Sequence, residues 1–193
     1  MEKEFWKPGN MLYPLPAVMV SCQGENTKPN IITVAWTGTI CTNPAMVYIS
    51  VRPERYSYDL IKSSGEFIIN LTTKKLARAV DFCGVRSGRE VDKFSKMNLT
   101  PQPGEKVKVP YIKECPVNIE CKVQSIQELG SHHMFLATVE GVHVDVAYLD
   151  KKGKFDLNKS NLMVYSHGEY FALGEQLGTF GYSIRRKGSA YEN

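Results

Sequence analysis

The chain has 193 residues, of which 42% are hydrophobic and 23% are charged, as is typical of one globular domain (residues 1–193) and not of a disordered chain. Its formal net charge of +4 suits an anionic ligand but does not require a nucleic acid. The N-terminal segment has no secretory pattern, and no apolar run approaches the ~20 residues that cross a bilayer. We therefore expect a cytoplasmic protein with no membrane partner.

The chain contains an odd number of cysteines with no C-x-x-C spacing, which argues against a disulfide framework or a zinc site. Free thiols, most of them buried as small hydrophobic residues, are the simplest interpretation. We expect no metal site. The cysteines are Cys22, Cys41, Cys83, Cys115 and Cys121.

In the first half of the chain, apolar and β-branched runs alternate with turn residues and predict short strands. Two short helices are also predicted: Gly65 closes the first, while Thr73 caps the second and Gly84 ends it. The predicted strands cover residues 17–22, 30–37, 45–52 and 66–72, and the predicted helices cover residues 55–64 and 74–83. A connection is expected at residues 41–44.

In the second half, residues 100–110 are rich in proline, glycine and charge and predict a surface excursion. Residues 117–127 alternate between apolar and polar side chains, which indicates a half-buried strand. Residues 132–146 predict a long strand with a bulge near Gly141. Many short strands and few helices favour a mainly β fold built as a small barrel.

The end of the third predicted strand has residues that suit a phosphate group. Ser50 and Arg52 share one face of this strand, because side chains alternate along it. Arg55, Tyr56 and Ser57 follow at the start of a predicted helix. Guanidinium groups, hydroxyls and free backbone N–H groups together can bind a phosphate monoester. The alternative is a solvated strand end with surface arginines.

Small hydroxyl-bearing residues line the second predicted strand, where Thr33, Ala35 and Thr37 share a face. A flat heteroaromatic ring could lie against such a backbone and accept hydrogen bonds from it. Trp36 points the other way in an ideal strand but could wrap a ring edge where the strand ends. Its alternative role is that of a core anchor.

The loop at residues 86–94 is a second candidate anion site. It offers Ser87, Arg89 and Lys93 around Gly88, a residue that permits a tight turn. The alternative is a surface loop with salt bridges to the acidic residues within it. The sequence alone leaves both interpretations open.

The histidines form no known metal or catalytic motif. His132 and His133 lie on opposite faces of the predicted long strand, so one of them could face a site. The one basic cluster, Arg185–Arg186–Lys187, has no interleaved aromatic residues, so nucleic acid is not an expected partner.

Five segments, in order along nearly the whole chain, resemble the flavin reductase-like family and most closely its flavoredoxin branch. The matching segments are residues 29–38 (K-P-N-x-x-T-x-A-W), 44–57 (ending in S-x-R-x-x-x-Y-S), 87–94 (S-G-R-x-x-D-K-F), 130–136 (G-x-H-x-x-F-[IL]) and 170–178 (Y-x-x-x-G-x-x-L-G). Many flavin reductases have Asp directly before the family histidine, whereas this chain has Ser131. That departure favours the flavoredoxin branch and leaves the use of NAD(P)H open.

The resemblance implies an FMN-binding split barrel, an antiparallel Greek-key barrel that forms a homodimer with FMN near the interface. Two groups of residues would hold the cofactor, and one histidine would lie near the reactive face of the ring or the nicotinamide. By position, these are Ser50, Arg52, Tyr56, Ser57, Ser87, Gly88, Arg89 and Lys93 at the phosphate and ribityl end, Thr33, Ala35, Trp36 and Thr37 at the isoalloxazine, and His132 as the catalytic candidate.

The function that the resemblance implies is an FMN-dependent oxidoreductase. Electrons would pass from a reduced nicotinamide or another donor, through FMN, to a free flavin, a metal or a protein. A second hypothesis is an electron carrier that docks a donor or acceptor protein and has no small-molecule substrate of its own. A third is a barrel that binds a ligand without catalysis.

Overall fold

Short strands make up most of the fold in the computed structural model, which describes residues 1–184. The strands are β1 (Leu15–Pro16), β2 (Val18–Cys22), β3 (Asn30–Val34), β4 (Thr37–Thr42), β5 (Ala45–Val51), β6 (Glu66–Leu71), β7 (Pro101–Gln102), β8 (Tyr111–Ile112), β9 (Val117–Leu129), β10 (His132–Val144), β11 (Met163–Ser166) and β12 (Glu169–Ala172). The α-helices are α1 (Tyr56–Ser64), α2 (Ala77–Val85) and α3 (Lys93–Lys96), and 3-10 turns occupy Lys74–Leu76, Val146–Tyr148, Leu157–Ser160 and Tyr182–Ile184. The predicted basic cluster Arg185–Arg186–Lys187 lies outside the described residues.

A seven-stranded antiparallel sheet with the order β3-β2-β6-β9-β10-β5-β4 forms the body of the protein. Its two edge strands, β3 and β4, are consecutive in the chain and only Ala35 and Trp36 separate them. The sheet must therefore curl until its edges nearly meet, which makes it a barrel with a seam at these two residues. A mainly β barrel was predicted from the sequence, and this prediction is confirmed.

Two apolar cores stabilise the barrel: one fills its interior, and the other lies between the sheet and the helices α2 and α3. Strand β2 serves both, since Val18 and Val20 face the interior while Met19 faces the helices. Each large apolar side chain removed from water contributes about 1.5–3 kcal/mol. The fully buried large side chains include Phe67, Phe135, Ile31, Ile49, Ile61 and Ile112.

The predicted strand at residues 30–37 is wrong in its second half. β3 ends at Val34, and the chain bends so that the N–H of Thr37 donates to the carbonyl of Ala35 (3.0 Å). The bend arises because Thr37 must begin the opposite edge strand, where it pairs with Ile49. The expected connection at residues 41–44 is correspondingly shorter, since β4 continues to Thr42.

The first predicted helix is confirmed as α1, and its C-cap Gly65 has a φ of 69°, a left-handed conformation that glycine adopts without strain. The second predicted helix is confirmed in position but wrong in its ends. It begins as a 3-10 turn, the side chain of Thr73 makes no capping hydrogen bond, and α2 continues past Gly84 to Val85. A Cβ on Gly84 would lie 3.3 Å from the Cβ of Thr33, so this glycine lets α2 approach β3 closely.

The predicted surface excursion at residues 100–110 is confirmed, since most of its residues are exposed or half-buried; it covers the polar face of β9, and only Val107 and Val109 within residues 101–110 are buried. A fully buried carboxylate, that of Glu120, holds this loop by accepting hydrogen bonds from three consecutive backbone N–H groups and from His143. Burial acts to raise the pKa of the Glu120 carboxyl, but these donors hold it below its ordinary value. The strand itself is confirmed, as is the bulge at Gly141 in β10.

All five cysteines are free thiols, as expected, and four of them are buried. No helix within residues 1–184 is long and apolar enough to cross a membrane.

Candidate functional site

Two adjoining cavities open at the seam of the barrel. The first has a volume of about 300 Å³ and the second about 230 Å³. Ile32, Arg55 and Gly84 line both, so the two cavities meet at these residues. Together they form one elongated site between the end of β3, the start of α1 and the end of α2.

The first cavity is bordered by flat and small side chains at the seam. The Trp36 indole stacks on the His132 imidazole, with ring centroids 6.0 Å apart and planes 10° from parallel. Ala35 lines the cavity beside Trp36, because the bend turns both residues toward the same space. Thr33 also lines the cavity; its hydroxyl donates to the carbonyl of Val80, so toward a ligand it can act only as an acceptor.

Trp36 also borders a separate hollow of about 380 Å³. Residues 9–13 of the N-terminal segment and Tyr48 form the other walls of this hollow. Trp36 is therefore shared by the candidate site and the hollow next to the N-terminal segment.

Ser50 of β5 and Arg52, the first residue after β5, line the first cavity. The guanidinium of Arg52 forms an ion pair with Glu54 at 2.7 Å, and half of its side chain is exposed. His132 lies nearby. Burial, followed by the positive charge of Arg52, lowers the pKa of the His132 imidazole, so this ring is neutral at pH 7.

His133 occupies the opposite face of β10, as predicted. Its Nδ1 lies 2.9 Å from the hydroxyl of Tyr58, and its ring contacts that of Tyr58 edge-on. His133 is therefore part of the packing behind α1, and only His132 of this pair faces the cavities.

The second cavity lies at the N-terminus of α1 and has several hydroxyl, amide and cationic side chains in its wall. Tyr56 and Ser57 from the first turn of α1 line it together with Ser87 and Gly88 of the following loop. The side-chain amide of Asn30 donates to the hydroxyl oxygen of Ser57 at 2.8 Å. A Cβ on Gly88 would lie 2.1 Å from Oδ1 of Asn30, so only glycine fits here without a shift of the loop.

The ammonium group of Lys93 forms the floor of the second cavity, although the side chain is only 4% exposed. Its Nζ donates to the carbonyls of Ile31 (2.6 Å) and Cys83 (2.8 Å). An ammonium has three donors, so one N–H remains for a ligand in the cavity. Burial is the main reason that the pKa of Lys93 is lowered.

Two of the residues predicted for the site lie outside both cavities. Arg89 stacks over the ring of Tyr56, forms an ion pair with Asp59 (3.6 Å) and donates to the carbonyl of Glu54 (3.2 Å). It borders a separate groove on the far side of Gly88. Thr37 is buried in β4 and donates to the carbonyl of Tyr48 (2.6 Å), because the bend at the seam turns it away from Thr33.

The remaining predicted residues come together around the joined cavities. Those at the first cavity are Thr33, Ala35, Trp36, Ser50, Arg52 and His132, and those at the second are Tyr56, Ser57, Ser87, Gly88 and Lys93. The sequence patterns thus indicated one site from segments that are far apart in the chain.

Sequence reasoning placed Arg55 in the candidate phosphate motif, but the positions taken from the family resemblance left it out, although this residue lines both cavities. Its position directly before α1 was the sequence feature that pointed to this role. The same reasoning missed Asp81 of α2 and the aromatic residues Tyr165 and Tyr170 of the β11–β12 hairpin, which close one side of the first cavity. The hydroxyl of Tyr170 lies 3.5 Å from Oδ1 of Asp81.

The family model of the flavin reductase like domain matches residues 11–174. The chain belongs to the flavin reductase-like family. An uncharacterized protein of Archaeoglobus fulgidus is 36% identical over 160 residues, which cover 83% of this chain and 88% of that protein.

Solved structures show the same fold. The flavoredoxin of Desulfovibrio vulgaris (Miyazaki F) is 32% identical with a TM-score of 0.88, and the match covers 95% of this chain and 100% of that one. A split barrel domain protein of Shewanella frigidimarina is 20% identical with a TM-score of 0.78, covering 88% of this chain and 86% of that one. The predicted family and the predicted split barrel are confirmed.

Proposed function

We propose that this flavin reductase-like protein is a cytoplasmic oxidoreductase that binds FMN in the two joined cavities. The observation that carries the proposal is their common wall at Ile32, Arg55 and Gly84, which connects a cavity lined by aromatic side chains to one lined by hydroxyl and cationic side chains. FMN has the matching shape and polarity, with a planar ring, a ribityl chain and a terminal phosphate. The free thiols of all five cysteines fit a reducing compartment.

The second cavity suits the phosphate. The ammonium of Lys93 supplies a buried positive charge, and Arg55 adds a guanidinium that no carboxylate of the described residues pairs with. The first backbone N–H groups of α1 and the hydroxyls of Ser57 and Ser87 supply neutral donors. A Cβ at Gly88 would narrow this space, which is consistent with a ligand that lies close to the backbone.

The first cavity suits the ring. Trp36 and His132 supply flat surfaces, and Tyr165, whose ring centroid lies 6.2 Å from that of Trp36, extends this aromatic wall together with Tyr170. Because the imidazole of His132 is neutral at pH 7, it can accept or donate one hydrogen bond without adding a charge to the site. Its proposed role is to position the electron donor or to hold a proton near the ring.

When bound, FMN would supply the redox chemistry, taking an electron pair from a reduced nicotinamide or another donor and delivering it to a free flavin, a metal or a protein. The protein contributes binding, orientation and exclusion of water. No side chain needs to act as a nucleophile. NADH or NADPH is the proposed co-substrate for this role.

A flavoredoxin-type electron carrier is the second candidate function. The flavoredoxin of D. vulgaris matches this chain along 95% of its length at 32% identity. Ser131 also favours the carrier, since many flavin reductases have Asp at this position. The hydroxyl of Ser131 lies 3.0 Å from Nδ1 of His132.

The visible spectrum of the purified protein tests the cofactor, since bound FMN gives a flavin absorption band and a yellow colour. A colourless protein that also fails to bind added FMN would contradict the proposal. Anaerobic addition of NADH and then NADPH separates the two functions. Bleaching of the flavin band supports the nicotinamide-dependent enzyme, and no bleaching with either nucleotide supports the carrier.

A homodimer with FMN near the subunit interface is part of the proposal. Two exposed apolar residues near the end of β10, Val142 and Val144, support it, because they share one face of the strand and exposed apolar side chains that lie together suit an interface. Light scattering during size-exclusion chromatography tests it. The expected mass is twice the 21.7 kDa of one chain, and a mass of one chain would contradict the dimer.

A further inference from the structure

Three cations lie at the N-terminal end of helix α2, beside the first cavity. Lys74 and Lys75 belong to the 3-10 turn that leads into α2, and Arg78 lies in its first turn. All three are exposed, and none forms an ion pair with a carboxylate of residues 1–184. We call these three residues the α2 basic patch.

These charges are unfavourable for the helix itself. The N-terminus of a helix carries a partial positive charge, which acidic residues stabilise and cations destabilise. No acidic residue occupies the first turn of α2 or of the preceding 3-10 turn. The patch therefore conflicts with local stability, and such conflicts are typical of functional surfaces.

The patch adjoins the proposed flavin site. Arg78 lies three residues before Asp81, which lines the first cavity, so the two occupy the same face of α2. Val85, on the same helix, also lines the cavity and is 69% exposed. At a rise of about 1.5 Å per residue, the distance along α2 from Arg78 to Val85 is about 10 Å. A partner on the patch would thus reach the rim of the cavity.

The nearby acidic side chains are already engaged. The carboxylate of Asp81 lies beside the hydroxyl of Tyr170, and Asp156 pairs with Lys159 at 3.2 Å. The segment that contains Asp156 and Lys159 lies beside the patch, because the N–H of Lys74 donates to the carbonyl of Asn161. The positive potential of the patch is therefore directed to solvent.

We propose that the α2 basic patch is the docking surface for a small acidic electron-transfer protein that exchanges electrons with the cofactor in the first cavity; this inference rests on the proposed function. Opposite charges on the two proteins would steer the encounter, and Val85 would supply an apolar contact at the rim. Three cations suit a transient protein contact. They are fewer than the 6–10 phosphate contacts of many DNA-binding proteins or the 4–8 basic residues of anionic-lipid sites.

The test uses the FMN-loaded protein and a reduced acidic ferredoxin, a one-electron donor of low potential. Two encounters supply two electrons, which bound FMN takes up with two protons from water. Stopped-flow absorbance gives the second-order rate constant. We expect K74E/K75E/R78E to lower this rate constant about tenfold or more at low salt. At high salt the rate constants of the variant and of the unaltered protein should become equal, because salt screens the charges.

The matched control is K106E/K108E/K113E, which makes the same change in charge at three exposed lysines of the loop over β9. None of these lysines lines either cavity. We expect the rate constant of this control to change less than about threefold. The patch variant should keep its FMN and unfold at the same or a higher temperature, because removing cations relieves the repulsion at the helix N-terminus.

The outcomes separate the two proposals. A protein without a flavin band, even with added FMN, would refute the proposed function. A yellow protein that ferredoxin does not reduce, or reduces equally fast in both variants, would refute the docking surface while the FMN site stands. Binding of duplex DNA or anionic vesicles that only the patch variant loses would also refute it, in favour of a different partner.

Discussion

The replacement Arg55→Ala is the sharpest test of the phosphate end of the site. Arg55 lines both cavities and has no carboxylate partner among residues 1–184, whereas Arg52 and Arg89 are each held by an acidic side chain. Its guanidinium is therefore the one at this end that is available to an incoming phosphate. Riboflavin lacks the phosphate but retains the ring and the ribityl chain, so it is the natural comparison ligand.

The expected loss follows from the strength of a charged hydrogen bond, about 1.5–3 kcal/mol, or about 10- to 150-fold in Kd. Because Arg55 is exposed, solvent screening favours the lower end of this range. We therefore expect the FMN affinity of Arg55→Ala to fall about tenfold, and the riboflavin affinity to change less than about twofold. Calorimetric titration of the cofactor-free protein with each ligand measures both.

Arg89→Ala is the matched control, since it removes a guanidinium whose contacts are Asp59, Tyr56 and the carbonyl of Glu54. Its FMN affinity should change less than about threefold, as for an exposed ion pair. Equal losses of FMN and riboflavin in Arg55→Ala would refute the reasoning. So would a loss in Arg89→Ala as large as that in Arg55→Ala.

Three further predictions concern the cavity floor, the glycine loop and the buried carboxylate. Gly88→Ala should lower FMN affinity, measured by titration, about tenfold, because its methyl group would lie 2.1 Å from Oδ1 of Asn30 and displace the loop. An unchanged affinity would show that the loop accommodates the methyl group without cost to FMN binding. The lowered pKa of Lys93 implies that FMN affinity falls as pH rises from neutral toward 10.5, since the neutral amine no longer attracts phosphate. The Lys93→Met variant should bind FMN weakly and should not show this decrease with pH. If the decrease persists in the variant, Lys93 is not its cause. Glu120→Gln should reduce the free energy of unfolding in urea by about 1.5–3 kcal/mol at pH 7. The pKa of Glu120 is lower in the folded protein than in the unfolded chain. Its stabilising contribution is therefore present above pH ~4.5 and is lost as the pH falls through the folded-state pKa. The difference in unfolding free energy between wild type and Glu120→Gln should thus become smaller in acid.

Local chemistry was sufficient to select the residues that line the proposed phosphate end of the site. Ser57, Ser87 and Lys93 were identified as anion donors because of their residue types and their places at a helix start and in a glycine loop. The structure brings all three to one cavity. What the sequence could not show is which arginine is free, since that depends on partners such as Asp59 that the fold brings near.

The ring end was harder to predict, because barrel closure is a non-local event. A period-two pattern through residues 30–37 placed Thr37 with Thr33, whereas closure bends the chain at Trp36 and sends Thr37 into the opposite edge strand. The N–H of Ser50, donating to the carbonyl of Trp36 at 2.8 Å, helps to hold that bend. Likewise, the burial of Glu120 depends on a distant loop that no strand pattern predicts.

The position of the Trp36 indole makes it an intrinsic fluorescence probe of the candidate site. The chain has only two tryptophans, and the other, Trp6, is 69% exposed in the N-terminal segment. In a Trp6→Phe background, all indole emission would come from a residue that lines both the candidate site and the hollow bordered by residues 9–13. Quenching would report ligand arrival, and a wavelength shift without quenching would report displacement of the N-terminal segment.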